Sequence, residues 1–325
     1  MLTPIVNNPA NVFKGPLWFL YAILVVHQII NAAAFPVAKI GLAQFDPLVY
    51  AFFRFLFCTL GYLPFLVFNG NKTAIAKVDR LKIFGIGLLL IPFNQVLFLV
   101  GQKLTSAGHA SLLFATTPVF VYVLAIRFLK EKLIFLRSIG IVIALTGVLI
   151  ILLSGRVRFG QEFLAGDLLV LLAVMAWAGA TVAGKPLASR YGAFRVMGTA
   201  MVYGSLVYMP FGFIFALHSD YQGVNHIGWL SILYMAVVVS IFGYVVWYWV
   251  LKFLEATQVA VLQNIQPVIA TALAAIFLGE PVTLTLIVGG IIVIAGVILS
   301  QLRPGVFRWL FVDKANVAAK GEVKC

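Results

Sequence analysis

The sequence predicts an all-α integral membrane fold of ten transmembrane helices, arranged as two inverted five-helix repeats. Three observations predict it. Of 325 residues, 63% are hydrophobic and only 10% charged, ten apolar windows are long enough to cross a bilayer, and residues recur at offsets of 146 and 149. So few ionisable groups cannot cover a water-soluble globule, so the solvent is lipid. A net charge of +13 would point to nucleic acid in a soluble protein, but here the basic residues occupy short gaps between apolar runs. They read as a topology signal, and no nucleic-acid partner is expected.

A helix rises about 1.5 Å per residue and the hydrocarbon layer is about 30 Å thick, so a crossing takes about 20 mostly apolar residues. The windows fall at 16–40, 47–68, 81–101, 106–127, 133–153, 166–187, 193–217, 227–253, 257–278 and 281–302. The first, with Lys14 before it and Ala32, Ala33 and Ala34 after its apolar stretch, imitates a cleavable signal, but the repeat needs it as a helix. The second carries Arg54, and the third carries Asn94 and Gln95 after Pro92. The fourth holds Thr116 and Thr117 before Pro118, and the fifth holds Gly140 and Ala144 at close-packing spacing. The sixth opens on Gly166-Asp167-Leu168 and contains Trp177 and Lys185; the seventh contains Pro210. The eighth carries the aromatic run Tyr244, Trp247, Tyr248 and Trp249, and the ninth carries Gln263, Asn264 and Gln266 just before Pro267. Pro281 opens the tenth at a first helical position. The gaps at 69–71, 154–155 and 218–220 read as turns.

Apart from Lys39, Arg54 and Lys185, which lie within spans, one side of the membrane holds 17 Lys and Arg and the other holds 3, Lys103, Arg156 and Arg158. By the positive-inside rule both termini face the cytoplasm, as expected for a multi-pass protein of a bacterial inner membrane.

Offset 146 aligns Lys39 with Lys185 and Pro64 with Pro210; offset 149 aligns Pro118 with Pro267, Glu131 with Glu280, Gly140 with Gly289 and Gly147 with Gly296. Each unit has an odd number of crossings, so the second enters the membrane upside down relative to the first. Inverted repeats of this kind serve secondary transporters, whose halves rock about a midplane site. The expected units are 16–153 and 163–302, followed by a polar cytoplasmic tail at 303–325. On Gly166-Asp167-Leu168, Trp177, Lys185 and Leu278-Gly279-Glu280-Pro281, matched in the first half by Lys39, Arg54, Pro118 and Glu131, the chain resembles the drug/metabolite transporter superfamily, of the type with two EamA domains. The resemblance implies a ten-helix secondary transporter moving a small metabolite, often an amino acid, commonly outward. Two positions depart from it. Asn31 stands where such proteins often carry a Trp, and Glu131 follows Lys130 rather than a glycine.

Arg54 lies about two turns inside its helix, where an unpaired cation is costly, and its repeat equivalent is Ala200. Two roles are open to it: a structural arginine held by neighbouring carbonyls, or a contact to a substrate carboxylate. Lys39 and Lys185 are expected to snorkel to the interface, and Glu131, Glu280 and Asp167 to cap helices, with a gate as the alternative for the paired lysines and glutamates. The amides Asn94, Gln95, Gln263, Asn264 and Gln266, with Thr117 and the aromatics Tyr244 and Trp247, either bond between helices or line a polar cavity. His109 is expected at an interface.

No Asp or Glu is read deep within a span, which disfavours a proton-coupled exporter of hydrophobic cations. Arg54 with amides and aromatics suits a zwitterionic or anionic solute, such as an amino acid or organic acid, exported by alternating access. A lipid or lipid-linked carrier flippase on the same scaffold is the alternative. Neither an enzyme nor a cofactor is expected. Cys58 and Cys325 provide no disulfide framework, and His218 and His226 lack metal-ligand spacing. Oligomeric state stays open, a monomer included.

Overall fold

The computed structural model describes residues 13, 15–68, 75–105, 110, 113–153, 163–269 and 284–302. Lys14, His109, Arg156, Arg158, Glu280, Pro281, Cys325, the turns at 69–71 and 154–155 and the tail 303–325 lie outside the described residues. All described elements are helical. They are α1 (Leu17–Leu42), α2 (Pro47–Phe68), α3 (Lys77–Leu104), α4 (Leu113–Leu129), α5 (Phe135–Leu153), α6 (Leu164–Tyr191), α7 (Ala193–Leu217), α8 (His226–Val250), α9 (Ala256–Val261 and onward to 269) and α10 (Leu284–Gln301). Among the described residues, α1, α2, α3, α6, α7 and α8 are long and apolar enough to cross a membrane, and α4, α5 and α10 contain shorter apolar helices.

α3 starts four residues before its predicted window because Asp79, in its first turn, is fully engaged. The Asp79 carboxylate accepts from the Tyr191 hydroxyl at 2.8 Å and pairs with Arg190 and Lys82 at 3.0 Å each. Backbone irregularities follow the prolines and hydroxyls. α3 winds as a π-helix over Ile91–Val96, around Pro92. In α4 Pro118 supplies no N–H to Phe114 O, and the Thr117 hydroxyl donates to that carbonyl instead, at 2.6 Å. α8 is π-helical over Tyr234–Gly243, where the Ser240 hydroxyl donates to Met235 O at 2.9 Å, and α9 tightens to a 3₁₀ turn over Leu262–Ile265, just before Pro267.

Repeat-equivalent helices pack on one another antiparallel. A Cβ on Gly140 would stand 2.7 Å from Gly296 O, and one on Gly147 2.7 Å from Gly289 O, so numbers rise along α5 as they fall along α10. These four glycines are the offset-149 pairs, and they let the two backbones touch about a pseudo-two-fold axis. α2 and α7 do the same. The Tyr208 hydroxyl donates to Leu48 O at 2.7 Å near one end, while the Tyr62 and Phe194 rings lie 5.4 Å apart near the other. The second half is therefore inverted relative to the first. Across the axis α1 packs on α8 as α3 packs on α6.

The paired lysines bond to backbone carbonyls at helix ends. Lys39 Nζ donates to Gln102 O and Thr105 O at 3.0 and 3.1 Å, and Lys185 Nζ donates to Leu254 O at 2.6 Å. Thr105 and Leu254 are 149 apart, so each lysine closes orphan carbonyls after the equivalent helix, α3 or α8. Glu131 is not the cap of α5, whose first residue lies four positions on. It caps α9 of the other half instead, accepting from Ala256 N at 2.6 Å and from the Thr257 hydroxyl at 2.7 Å. Asp167 sits in the first turn of α6 rather than at its cap, and accepts from the Thr105 hydroxyl at 2.6 Å.

Candidate functional site

Between the halves lies a cavity of about 60 Å³. Six of the residues read from the sequence as substrate-binding candidates line it: Arg54 from α2, Asn94 and Gln95 from α3, Tyr244 from α8, and Gln263 and Gln266 from α9. Three pairs of repeat-equivalent positions contribute to its lining. These are Asn31 with Trp177 at offset 146, and Gln95 with Tyr244 and Phe114 with Gln263 at offset 149. The cavity therefore sits on the axis that relates the halves. Every one of those pairs is chemically unlike.

Arg54 is completely buried. Its Nε and Nη2 donate to the Ser240 hydroxyl at 3.1 and 3.0 Å, and its Nη1 has no hydrogen-bond partner among the described residues. Among the described residues no carboxylate pairs with it. A guanidinium keeps its charge at any ordinary pH, so the cavity wall carries an uncompensated cation. Two more lining residues hold buried polar atoms without partners: Trp177 through Nε1 and Gln263 through Oε1. The amides beside them are already engaged between helices. Asn94 donates to Ala173 O at 2.7 Å and Gln266 to Gln28 Oε1 at 2.6 Å, while Gln95 donates to Asn94 Oδ1. Both alternatives read for these amides thus coexist in one wall.

The apolar lining is aromatic. Phe35, Phe98 and Phe114 form an edge-to-face cluster with ring centroids 5.2 to 5.9 Å apart, and Trp177 lies 5.2 Å from Tyr244. Thr117, Trp247 and Asn264 stand off the wall. Thr117 serves the proline break, and Trp247 packs behind, stacked 5.4 Å from His27. Asn264 is buried with both side-chain polar atoms unpartnered.

Of the polar stripe of α1, sequence reasoning singled out Asn31 and missed His27 and Gln28. His27 and Gln28 are adjacent, Asn31 follows one turn after His27, and all three feed the network: His27 Nε2 meets Gly243 O at 3.1 Å, Gln28 Oε1 accepts from Gln266 at 2.6 Å and Asn31 Nδ2 donates to His27 O at 2.8 Å. Their spacing in an otherwise apolar helix was the available signal.

At the end of the molecule carrying the α4–α5 turn, a charged cluster crosses between the halves. Glu131 lies 3.6 Å from Lys185 Nζ and 3.9 Å from Arg137, and Arg137 pairs with Glu255 at 2.5 Å. Glu131 and Arg137 are both buried. Glu280, the repeat equivalent of Glu131 in sequence, lies outside the described residues. Among the described residues no group of three His, Cys, Asp or Glu could hold a metal ion.

A family model described as the EamA-like transporter family matches residues 16–153 and again 164–302. An uncharacterized transporter of Archaeoglobus fulgidus is 29% identical over 282 residues, covering 86% of this chain and 96% of its own. The transporter YdfC of Bacillus subtilis, also uncharacterized, is 29% identical over 286 residues, covering 86% and 90%. A probable amino-acid metabolite efflux pump of Salmonella typhimurium is 29% identical over 297 residues, covering 87% and 93%. One protein crystal structure superposes with a TM-score of 0.69 at 15% identity over 86% of this chain and 95% of that one, a likeness of fold alone.

Proposed function

The chain belongs to the EamA-like transporter family, and from that premise we propose that it exports a small zwitterionic or anionic metabolite, an amino acid or a related organic acid, by alternating access. Three unpartnered atoms on the cavity wall support this. Arg54 Nη1 and Trp177 Nε1 are donors suited to a carboxylate, and Gln263 Oε1 is an acceptor suited to an ammonium group. The name of the Salmonella relative points to the same solute class.

A cavity of about 60 Å³ holds only a few water molecules, so loading a solute requires the halves to part on one side or the other. The cross-half cluster around Glu131 serves as the inner gate, placed at the cytoplasm by the positive-inside rule with both termini. The equivalent outer gate involves Glu280. Ten crossings, with units 16–153 and 163–302, complete the arrangement in a bacterial inner membrane.

Flux into liposomes tests this directly. Purified protein is expected to move a labelled amino acid or organic acid, and an Arg54→Gln variant to lose that flux. Lipid scrambling without solute flux, or turnover of a solute without flux, overturns the proposal.

A further inference from the structure

We propose that a second pocket, at the inner end of the seam between the halves, binds the headgroup of an anionic phospholipid from the cytoplasmic leaflet. The pocket encloses about 310 Å³, several times the volume of the central cavity. Its walls include Phe65 and Leu66 from α2, Phe194 and Arg195 from the first turn of α7, and Trp249 and Lys252 from the end of α8 and the turn after it. Two cations line it and no carboxylate does. The Lys252 ammonium lies 5.6 Å from the centre of the Phe253 ring, and among the described residues no carboxylate is within ion-pair distance of it.

Two features favour a lipid over a dissolved anion. The mouth borders lipid-facing surface, because Phe65 is 58% exposed on a stretch of α2 where Leu63 and Val67 are exposed too. The cations stand beside aromatic and aliphatic walls. A dissolved anion gains nothing from these walls, whereas a phospholipid places its phosphate on the cations and its glycerol and first methylenes against Phe65, Leu66 and Trp249.

The site is also pre-formed on its α6 side. Tyr191, another lining residue, donates its hydroxyl to Asp79 of α3 at 2.8 Å. Because α2 belongs to one half and α7 and α8 to the other, a bound headgroup adds an inner tie between them. The leaflet assignment rests on the cytoplasmic orientation proposed above; the binding itself does not.

Thermal unfolding in detergent tests the site without any transport measurement. Wild-type protein is titrated with phosphatidylglycerol, with phosphatidylcholine of the same chains, and with soluble glycerol phosphate, and native mass spectrometry counts retained lipid. Phosphatidylglycerol is expected to raise the apparent Tm by several degrees and the other two to leave it unchanged. An Arg195→Gln/Lys252→Gln double variant is expected to lose most of that rise and an Arg195→Lys/Lys252→Arg variant to keep it, which separates charge from packing. Should the neutral double variant not fold, Lys252→Gln alone carries the comparison. An equal rise with phosphatidylcholine or with glycerol phosphate, or an undiminished rise in the neutral variant, overturns the proposal.

Discussion

Arg54 is a residue whose contributions to stability and to binding have opposite signs. Buried with no counter-ion among the described residues, it strains the folded protein, while its Nη1, unpartnered among those residues, is the strongest donor on the cavity wall. Arg54→Gln is therefore expected to unfold at the same temperature as wild type or higher when no solute is present. A charge-assisted hydrogen bond is worth about 1.5–3 kcal/mol, so solute affinity should fall roughly tenfold or more, measured as the loss of a solute-induced thermal shift. A variant that unfolds early and binds normally would show that Arg54 is purely structural. Trp177→Phe keeps the ring and removes the N–H, so a smaller loss, about two- to tenfold, is expected for carboxylate-bearing solutes. Arg54 was legible in the sequence because a charge amid apolar residues is conspicuous. Asn31 and Trp177 were visible only as a mismatch between repeats. Phe35 and Phe98 were not legible at all, since nothing local separates an aromatic on a cavity wall from one in a packed core.

Elements were read more easily than their ends. Composition and window length located the helices, and the glycine pairs at offset 149 marked the repeat but not the α5–α10 contact they make, while the capping glutamates were assigned to the nearest helix in sequence. Glu131 caps α9 and Lys185 closes the end of α8, both through contacts more than 60 positions away in the chain, which no local pattern encodes. The glycine seam gives a sharp test. Gly147→Val places a branched side chain against the Gly289 carbonyl, where even a Cβ would stand only 2.7 Å away, and neither backbone can retreat without parting the helices. Folded yield by fluorescence-detected size exclusion should collapse. Gly85→Ala, where a Cβ meets nothing within 4 Å, should instead hold or gain stability by up to about 1 kcal/mol, because alanine has the higher helix propensity.

For the whole molecule, the predicted motion turns on the inner cluster. Glu131→Gln removes the charge shared by Lys185, Arg137 and the start of α9, and so should shift the population toward an arrangement open to the cytoplasm. With Cys58 and Cys325 replaced by Ser, a Thr257→Cys reporter should react several-fold faster with a membrane-impermeant thiol reagent added on the cytoplasmic side in the Glu131→Gln background. An unchanged rate would mean that the cluster merely braces the fold.

The two kinds of contact about the pseudo-two-fold axis also bear on how such a protein can change over generations. Along α5 and α10 the halves must stay alike, glycine against glycine, or the backbones no longer meet. Around the cavity they are free to differ, and they do so at Asn31 and Trp177, Gln95 and Tyr244, and Phe114 and Gln263. A duplicated gene can therefore drift toward a new cargo by editing one member of a lining pair at a time, while the seam that joins its products keeps its ancestral symmetry.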